Sequence, residues 1–374
     1  MDKKNIIKEN SRFLLNKYLK KLNVENIFLV TGKNSYKNCG AKEFIDTLKK
    51  KYKFIRYHQF QENPKYEEAE LASKFFKEKK IDLIISIGGG SVIDMGKLIR
   101  LMSLHKGTKE QFLNNKFIIN QDLCPFFALP TTAGTGSEET DFAVVYSNKL
   151  KYSIMKENLK PSLSIVDPHF TKSTSKYLSA SAGFDALTQS IESYWSINSS
   201  KESRELSKRS IKIILTFLKE FIFKKTTKSR FQMALASNLS GQAINFTKTT
   251  APHALSYEIT QSLKIPHGHA VALTLGRFFI INEYNKNLQV KKKKIKETMD
   301  SLFSILGVKN AKQAFKFWYN FMTECGLETD YKKLGLKKKK IILKIIDNVN
   351  LERLSNHPVK INSEDLKSLF FDFE

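Results

Sequence analysis

Between Asn26 and Pro168, short apolar runs alternate with amphipathic stretches. NIFLVTG (residues 26–32) is an apolar run that stops at a turn residue, the pattern of a buried strand. A helical stretch is predicted around Ala41–Lys51, and KFIRYHQF (53–60) reads as a second strand. NPKYEEAELASKFFKEKK (63–80) has helical periodicity, with Pro64 placed to begin it. IDLIISIGGG (81–90) is the cleanest strand, branched aliphatics followed by three glycines, and SVIDMGKLIRLMSLH (91–105) then reads as a helix. PFFALPTTAGTGSE (125–138) is a strand running into a Gly/Thr loop, and FAVVYS, KYSI and LSIVDP complete the short strands. Strands alternating with helices predict a parallel sheet with helices on both faces. From about Leu178 onward the pattern is helical almost throughout, as in AGFDALTQSIESYWS and HALSYEITQSL. No internal repeat of 30–45 residues is visible, which excludes a solenoid. The pattern predicts an α/β domain over residues 1–170 and an all-α domain over 171–374.

Composition changes this picture little. Lys and Arg number 63 against 37 Asp and Glu, a formal charge of +26 over 374 residues. The excess is mostly Lys, spread along the chain in a sequence also rich in Asn, Ile, Phe and Ser. The dense runs, Lys291 to Lys294 and Lys337 to Lys340, sit in helical-looking segments and read as solvated faces. Neither is interleaved with the aromatics a single-strand binder stacks on bases, so no nucleic-acid partner is expected. A positive field still draws in a small anionic substrate. Cys39, Cys124 and Cys325 are far apart and form no CxxC pair, which fits a reducing cytoplasm. The N-terminal stretch has no signal-peptide h-region, and no apolar run reaches about 18 residues, so no membrane partner is expected.

Candidate chemistry lies in two loops and one polar set. Gly88-Gly89-Gly90-Ser91 ends a strand and opens a helix, a geometry that offers unpaired N–H groups to phosphate. It matches neither GxGxxG nor GxxxxGKS. The second loop, Thr131-Thr132-Ala133-Gly134-Thr135-Gly136-Ser137-Glu138, also follows a strand, so both loops are expected at the carboxyl edge of the sheet. Two such loops suit a dinucleotide. Asp185 and Gln189 are four apart on one helical face, and His253 and His267 flank a helical segment. Together they form a candidate divalent-metal set, while each alone also reads as an ordinary packed residue.

GGGSxxDxxK, TTxGTGSE, GFDALTQSIESYWS and APHALSYEITQSLKIPHGHAVAL, in this order and spacing, resemble the iron-containing (group III) alcohol dehydrogenases. The resemblance implies a Rossmann-like N-terminal domain and a helical C-terminal domain (dehydroquinate synthase-like), with the active site in the cleft between them. It implies cofactor contacts at Gly88, Gly89, Gly90, Ser91, Asp94, Thr131, Thr132 and Thr135, and a metal held by Asp185, His253 and His267. The family's further histidine ligand falls on Gln189, a neutral and weaker donor, and Tyr257 stands where many members carry a proton-relaying His. Both departures, with NLERLSNHPVKI and INFTKTTAPHALSYEIT, resemble the phosphonoacetaldehyde reductases, also called 2-hydroxyethylphosphonate dehydrogenases.

On that resemblance, the expected activity is hydride transfer between NADPH or NADH and a small anionic aldehyde, assisted by Fe2+, with Zn2+ or Mn2+ as alternatives. Protons would pass through water, Tyr257 or His269. The substrate's charge would meet Lys248, with Lys151 and Arg277 as further candidates. Gly32, Lys33 and Ser35 offer no carboxylate where many members carry one, which favours acceptance of a 2′-phosphate. A homodimer is expected. The alternatives are a general short-chain alcohol dehydrogenase, a lyase resembling dehydroquinate synthase and a nucleic-acid binder.

Overall fold

The computed structural model describes residues 4–148, 150–336, 339–349 and 351–371. Lys337 and Lys338 of the second lysine run lie outside the described residues. The chain packs as two units, Met1–Thr174 and Ser175–Glu374.

The first unit contains β1 (Lys4–Ile7), α1 (Leu15–Leu22), β2 (Asn26–Thr31), α2 (Ser35–Asn38), α3 (Ala41–Leu48), β3 (Lys53–Tyr57) and α4 (Tyr66–Lys77). It continues with β4 (Leu83–Gly88), α5 (Gly90–Met102), α6 (Lys109–Leu113), β5 (Phe126–Pro130), β6 (Phe142–Ser147), β7 (Leu150–Met155) and β8 (Leu163–Val166). The main sheet runs β1-β8-β5-β4-β2-β3, and every pair in it is parallel. Successive side chains of a strand point to opposite faces. Ile84, Phe126 and Ala128 therefore enter one core, and Ile85, Ile87, Phe127 and Leu129 the other. Both faces are covered, which is why β4 and β5 are apolar without alternation.

Two expectations about strands need correction. FAVVYS and KYSI do not join the parallel sheet; β6 and β7 pair antiparallel with each other, in register from Phe142–Met155 to Ser147–Leu150. Their hairpin follows from the close spacing of two short strands, with Asn148 at φ 50° at the turn. The short strand β1 goes unrecognised in the sequence because KNII is too brief and polar to signal itself, yet it pairs with β8 along its whole length. Pro64 precedes α4 by two residues, and its carbonyl accepts the Tyr146 N–H at 2.8 Å.

Lys97, in the middle of α5, is fully buried. Its Nζ donates to the carbonyls of Ser137 (2.7 Å), Thr140 (2.9 Å) and Phe142 (2.8 Å) and to Thr140 Oγ1 (2.8 Å). Burial pulls its pKa down to about 8, while Asp94 and Glu138 oppose that shift. The buried ammonium thus ties α5 to the chain that follows the Gly/Thr loop.

The second unit contains α7 (Lys176–Trp195), α8 (Lys201–Phe223), α9 (Thr227–Thr247), α10 (Ala251–Leu263) and α11 (His267–Tyr284). It then has α12 (Lys292–Leu306), α13 (Ala311–Glu324), α14 (Lys339–Asp347), α15 (Leu351–Ser355) and α16 (Ser363–Phe371). Helix α7 is buried nearly all round from Ser179 to Trp195, as expected of a central helix. Small residues admit its neighbours: a Cβ on Gly183 would lie 2.2 Å from Leu218 Cδ1 of α8. No helix among the described residues is long and apolar enough to cross a membrane.

Replacing Lys97 with Met leaves its four oxygen acceptors without a buried donor. The expected loss is about 3 kcal/mol of stability, read by urea unfolding; an unchanged midpoint would contradict the tethering role.

Candidate functional site

In the first unit, the parallel pairing of Gly88 with Pro130 brings the two small-residue loops out at the same sheet edge. The Thr131 N–H donates to the Gly88 carbonyl at 3.0 Å. Gly89 is the N-cap of α5 and Gly90 its first residue, so the loop ends on unpaired helix N–H groups. A Cβ on Gly90 would meet Thr135 Cγ2 at 2.7 Å and Oγ1 at 2.8 Å, and one on Gly89 would meet Thr132 Oγ1 at 3.3 Å. The glycines are therefore what lets the loops lie against each other. On the other side, a Cβ on Gly32 would meet Ser35 Oγ at 2.2 Å and Val92 of α5 at 3.9 Å.

The remaining candidates of this unit have structural partners. Ser91 Oγ accepts the Asn63 N–H at 3.1 Å. Asp94, expected to contact cofactor, is buried beside Lys97 and accepts the Val144 N–H at 3.0 Å, which anchors the hairpin to α5. Burial raises the Asp94 pKa, against the pull of Lys97. Lys151, on β7, is half-buried and its charge acts on Asp94.

In the second unit, Asp185 on α7, His253 on α10 and His267 at the first position of α11 come together. One ligand atom from each lies within 4.8 Å of the others. His253 Nε2 lies 3.4 Å from Asp185 Oδ1. The His253 and His267 rings meet edge to face at 5.4 Å, and Tyr257 stacks on His267 at 6.0 Å and 28°.

A residue not singled out in the sequence organises this cluster. Glu192, seven residues after Asp185 on the same face of α7, is fully buried. Its Oε1 accepts Thr250 N–H (2.9 Å), Thr250 Oγ1–H (2.9 Å) and His253 N–H (3.2 Å). Its Oε2 accepts a close hydrogen bond from His253 Nδ1. Burial pulls the His253 pKa down, but Glu192 and Asp185 outweigh it and hold the pKa above the ordinary histidine value. His253 thus presents Nε2 towards Asp185, and His267 Nδ1 lies 3.4 Å from Ser256 Oγ, which donates to the His253 carbonyl at 2.8 Å.

The residues fit a divalent cation. His253 Nε2 is buried without a hydrogen-bond partner, its other nitrogen is fixed by a carboxylate, and a second carboxylate and an imidazole stand beside it.

Gly268 is the second residue missed in the sequence. A Cβ there would lie 2.0 Å from the Ser181 carbonyl oxygen and 2.8 Å from Asp185 Cβ. Only glycine lets the start of α11, and so His267, approach α7 this closely.

Other candidates are placed differently. His269 Nε2 lies 2.7 Å from the Glu328 carbonyl, an acceptor, so Nε2 donates and Nδ1 accepts from Tyr177 O–H at 2.9 Å. Burial lowers its pKa, the Glu328 carbonyl opposing, and both ring nitrogens are occupied outside the cluster. Arg277 is ten residues past His267, about 15 Å along the helix, with its guanidinium over Phe315. Lys248 ends α9 at φ 58° and ψ −177°, a conformation rarely adopted by residues with a side chain. It is fixed by its own N–H to the Ile244 carbonyl (2.8 Å) and by Thr247 Oγ1–H to its carbonyl (2.8 Å). It lies five residues before His253.

The family model described as iron-containing alcohol dehydrogenase matches residues 3–168. The C-terminal model of the same family matches residues 179–372. Long-chain-alcohol dehydrogenase 1 of Geobacillus thermodenitrificans is 31% identical over 261 residues, 69% of this chain and 66% of that protein. The 1,3-propanediol dehydrogenase of Klebsiella pneumoniae is 32% identical over 216 residues, 57% of this chain and 56% of that protein. The chain thus spans less than two thirds of the length of the curated relatives it matches first, down to 32% of one. Among solved structures, sulfoacetaldehyde reductase from Bifidobacterium kashiwanohense, in complex with NAD+, is similar with a TM-score of 0.86 and 25% identity. That likeness covers 98% of this chain and 96% of the other. The alcohol dehydrogenase from Oenococcus oeni shares the fold at a TM-score of 0.89 and 24% identity, covering 100% and 99%.

Substituting Gly268 with Ala should force α11 away from α7. A loss of about 1–3 kcal/mol in urea unfolding is expected; full stability would show that the close approach is not required.

Proposed function

The chain belongs to the iron-containing alcohol dehydrogenase family, and from that premise we propose that it is a metal-dependent NAD(P)H reductase of small anionic aldehydes. Phosphonoacetaldehyde, reduced to 2-hydroxyethylphosphonate, is the substrate we favour. The observation that carries the reading is the meeting of buried Asp185 and His253 with half-buried His267, with His253 turned to present Nε2. When bound, the divalent metal supplies Lewis-acid polarisation of a carbonyl oxygen, and the nicotinamide supplies a hydride.

The chain's own residues divide the remaining work. Gly88, Gly89, Gly90, Ser91, Thr131, Thr132 and Thr135 hold the dinucleotide, with phosphate on the N–H groups that open α5. Asp185, His253 and His267 hold the metal, and Gln189 is the proposed fourth ligand. Gln189 lies one turn after Asp185 on α7; its Oε1 accepts the Ser240 Oγ–H at 2.8 Å, and the second lone pair of that oxygen is the one it would offer to a cation.

Tyr257, stacked on His267, is the proposed proton carrier, since both ring nitrogens of His269 are engaged elsewhere. Lys248 is the proposed partner of the substrate's anionic group. Its fixed and strained backbone, close in sequence to His253, sets where its ammonium starts. A second reading, a reductase of sulfoacetaldehyde, is favoured by the likeness to the Bifidobacterium enzyme. Both substrates present a tetrahedral anion two carbons long.

The test is NADPH oxidation by the metal-loaded protein with phosphonoacetaldehyde, sulfoacetaldehyde, propanal and butanal at equal concentration. A preference of roughly a hundredfold for phosphonoacetaldehyde over the uncharged aldehydes, lost in Asp185→Ala, is the expected outcome. Equal rates with propanal would reduce the reading to a general short-chain alcohol dehydrogenase, and a preference for sulfoacetaldehyde would support the second reading. Glu192→Gln should weaken metal affinity about 10- to 100-fold in competition with a chelator, because the carboxylate that fixes the His253 tautomer is gone.

A further inference from the structure

We propose that Arg56 is the residue that recognises the 2′-phosphate of NADPH and makes this chain prefer it to NADH; this rests on the dinucleotide reading above. From β2 the chain moves to β3 on one side, then returns to β4, β5 and β8 on the other. The order therefore reverses between β2 and β4, and ligands of open α/β sheets lie outside the carboxyl ends of the strands at such a point. The glycine loop that would hold the pyrophosphate follows β4. The adenosine half then falls over the ends of β2 and β3.

Arg56 is the penultimate residue of β3, paired with Leu29 of β2. Its side chain crosses to the end of β2. Nε donates to Thr31 Oγ1 at 2.8 Å, and Nη2 donates to the carbonyls of Gly32 (3.1 Å) and Lys33 (3.3 Å). The guanidinium lies over the Tyr36 ring at 4.5 Å. These contacts fix one edge of the group, and the residue as a whole stays exposed, so its remaining N–H groups are available to a ligand. An arginine already held in place loses little entropy on binding phosphate, and its planar fork matches phosphate oxygens. From Gly32 to Gly40 there is no carboxylate to repel that phosphate or to hold a ribose 2′-hydroxyl, and Lys33 adds a second exposed cation. The feature was invisible in the sequence because Arg56 lies 24 residues beyond the loop it serves.

The experiment is isothermal titration of the full-length protein with 2′,5′-ADP and with 5′-AMP, which reads binding without turnover. The wild type should bind 2′,5′-ADP roughly ten- to a hundredfold more tightly. In Arg56→Gln the two should bind within about twofold of each other, while Arg56→Lys should keep part of the preference because it retains charge without the fork. Thermal unfolding of each variant checks that the fold is intact. Equal affinity in the wild type, or an undiminished preference in Arg56→Gln, would overturn the role of Arg56 and leave the dinucleotide reading standing. Failure of both nucleotides to bind would overturn the dinucleotide reading as well.

Discussion

The second unit depends on one buried carboxylate. Glu192 sits in the most enclosed helix of the unit, where an unpaired charge would be costly. It is stabilised by the hydrogen bonds it accepts from Thr250 and His253. Those bonds fix the entry to α10, select the Nδ1–H tautomer of His253 and point Nε2 at Asp185. The same helix supplies Asp185 about two turns earlier, so a single rigid element carries both Asp185 and the group that orients His253. Gly268 completes the arrangement by removing the one side chain that would keep α11 at a distance.

The first unit solves a comparable problem with an ammonium. Lys97 gathers three carbonyls and a hydroxyl from the stretch after the Gly/Thr loop, and Asp94 pins the adjacent hairpin. The two charged residues of the GGGSxxDxxK motif thus shape the surroundings of the loops, and in each unit a buried charged group fixes the elements packed around it.

The central strands and long helices were legible because their apolar runs are long and bounded by Gly, Pro or Asp. The pairing partner of β6 was not, since periodicity within a strand says nothing about which strand lies beside it. That Asp185, His253 and His267 come together was expected from the family resemblance, their spacing alone leaving each open as an ordinary packed residue. Glu192 was not, because in DALTQSIESYW it has the look of an ordinary helix carboxylate and its partner His253 is 61 residues away. Gly268 was hidden for a related reason: its role is the distance to Ser181 on another helix. His269 and Asp94 have partners that the sequence did not show: the Glu328 carbonyl and Tyr177 for one, the Val144 N–H and Lys97 for the other.

The most direct test of this account is anomalous diffraction from crystals of the protein loaded with Fe2+. A peak bounded by Asp185, His253 and His267, with Glu192 on the far nitrogen of His253, is the predicted result. A fully loaded crystal with its peak elsewhere, or with His253 turned away from the metal, would contradict it.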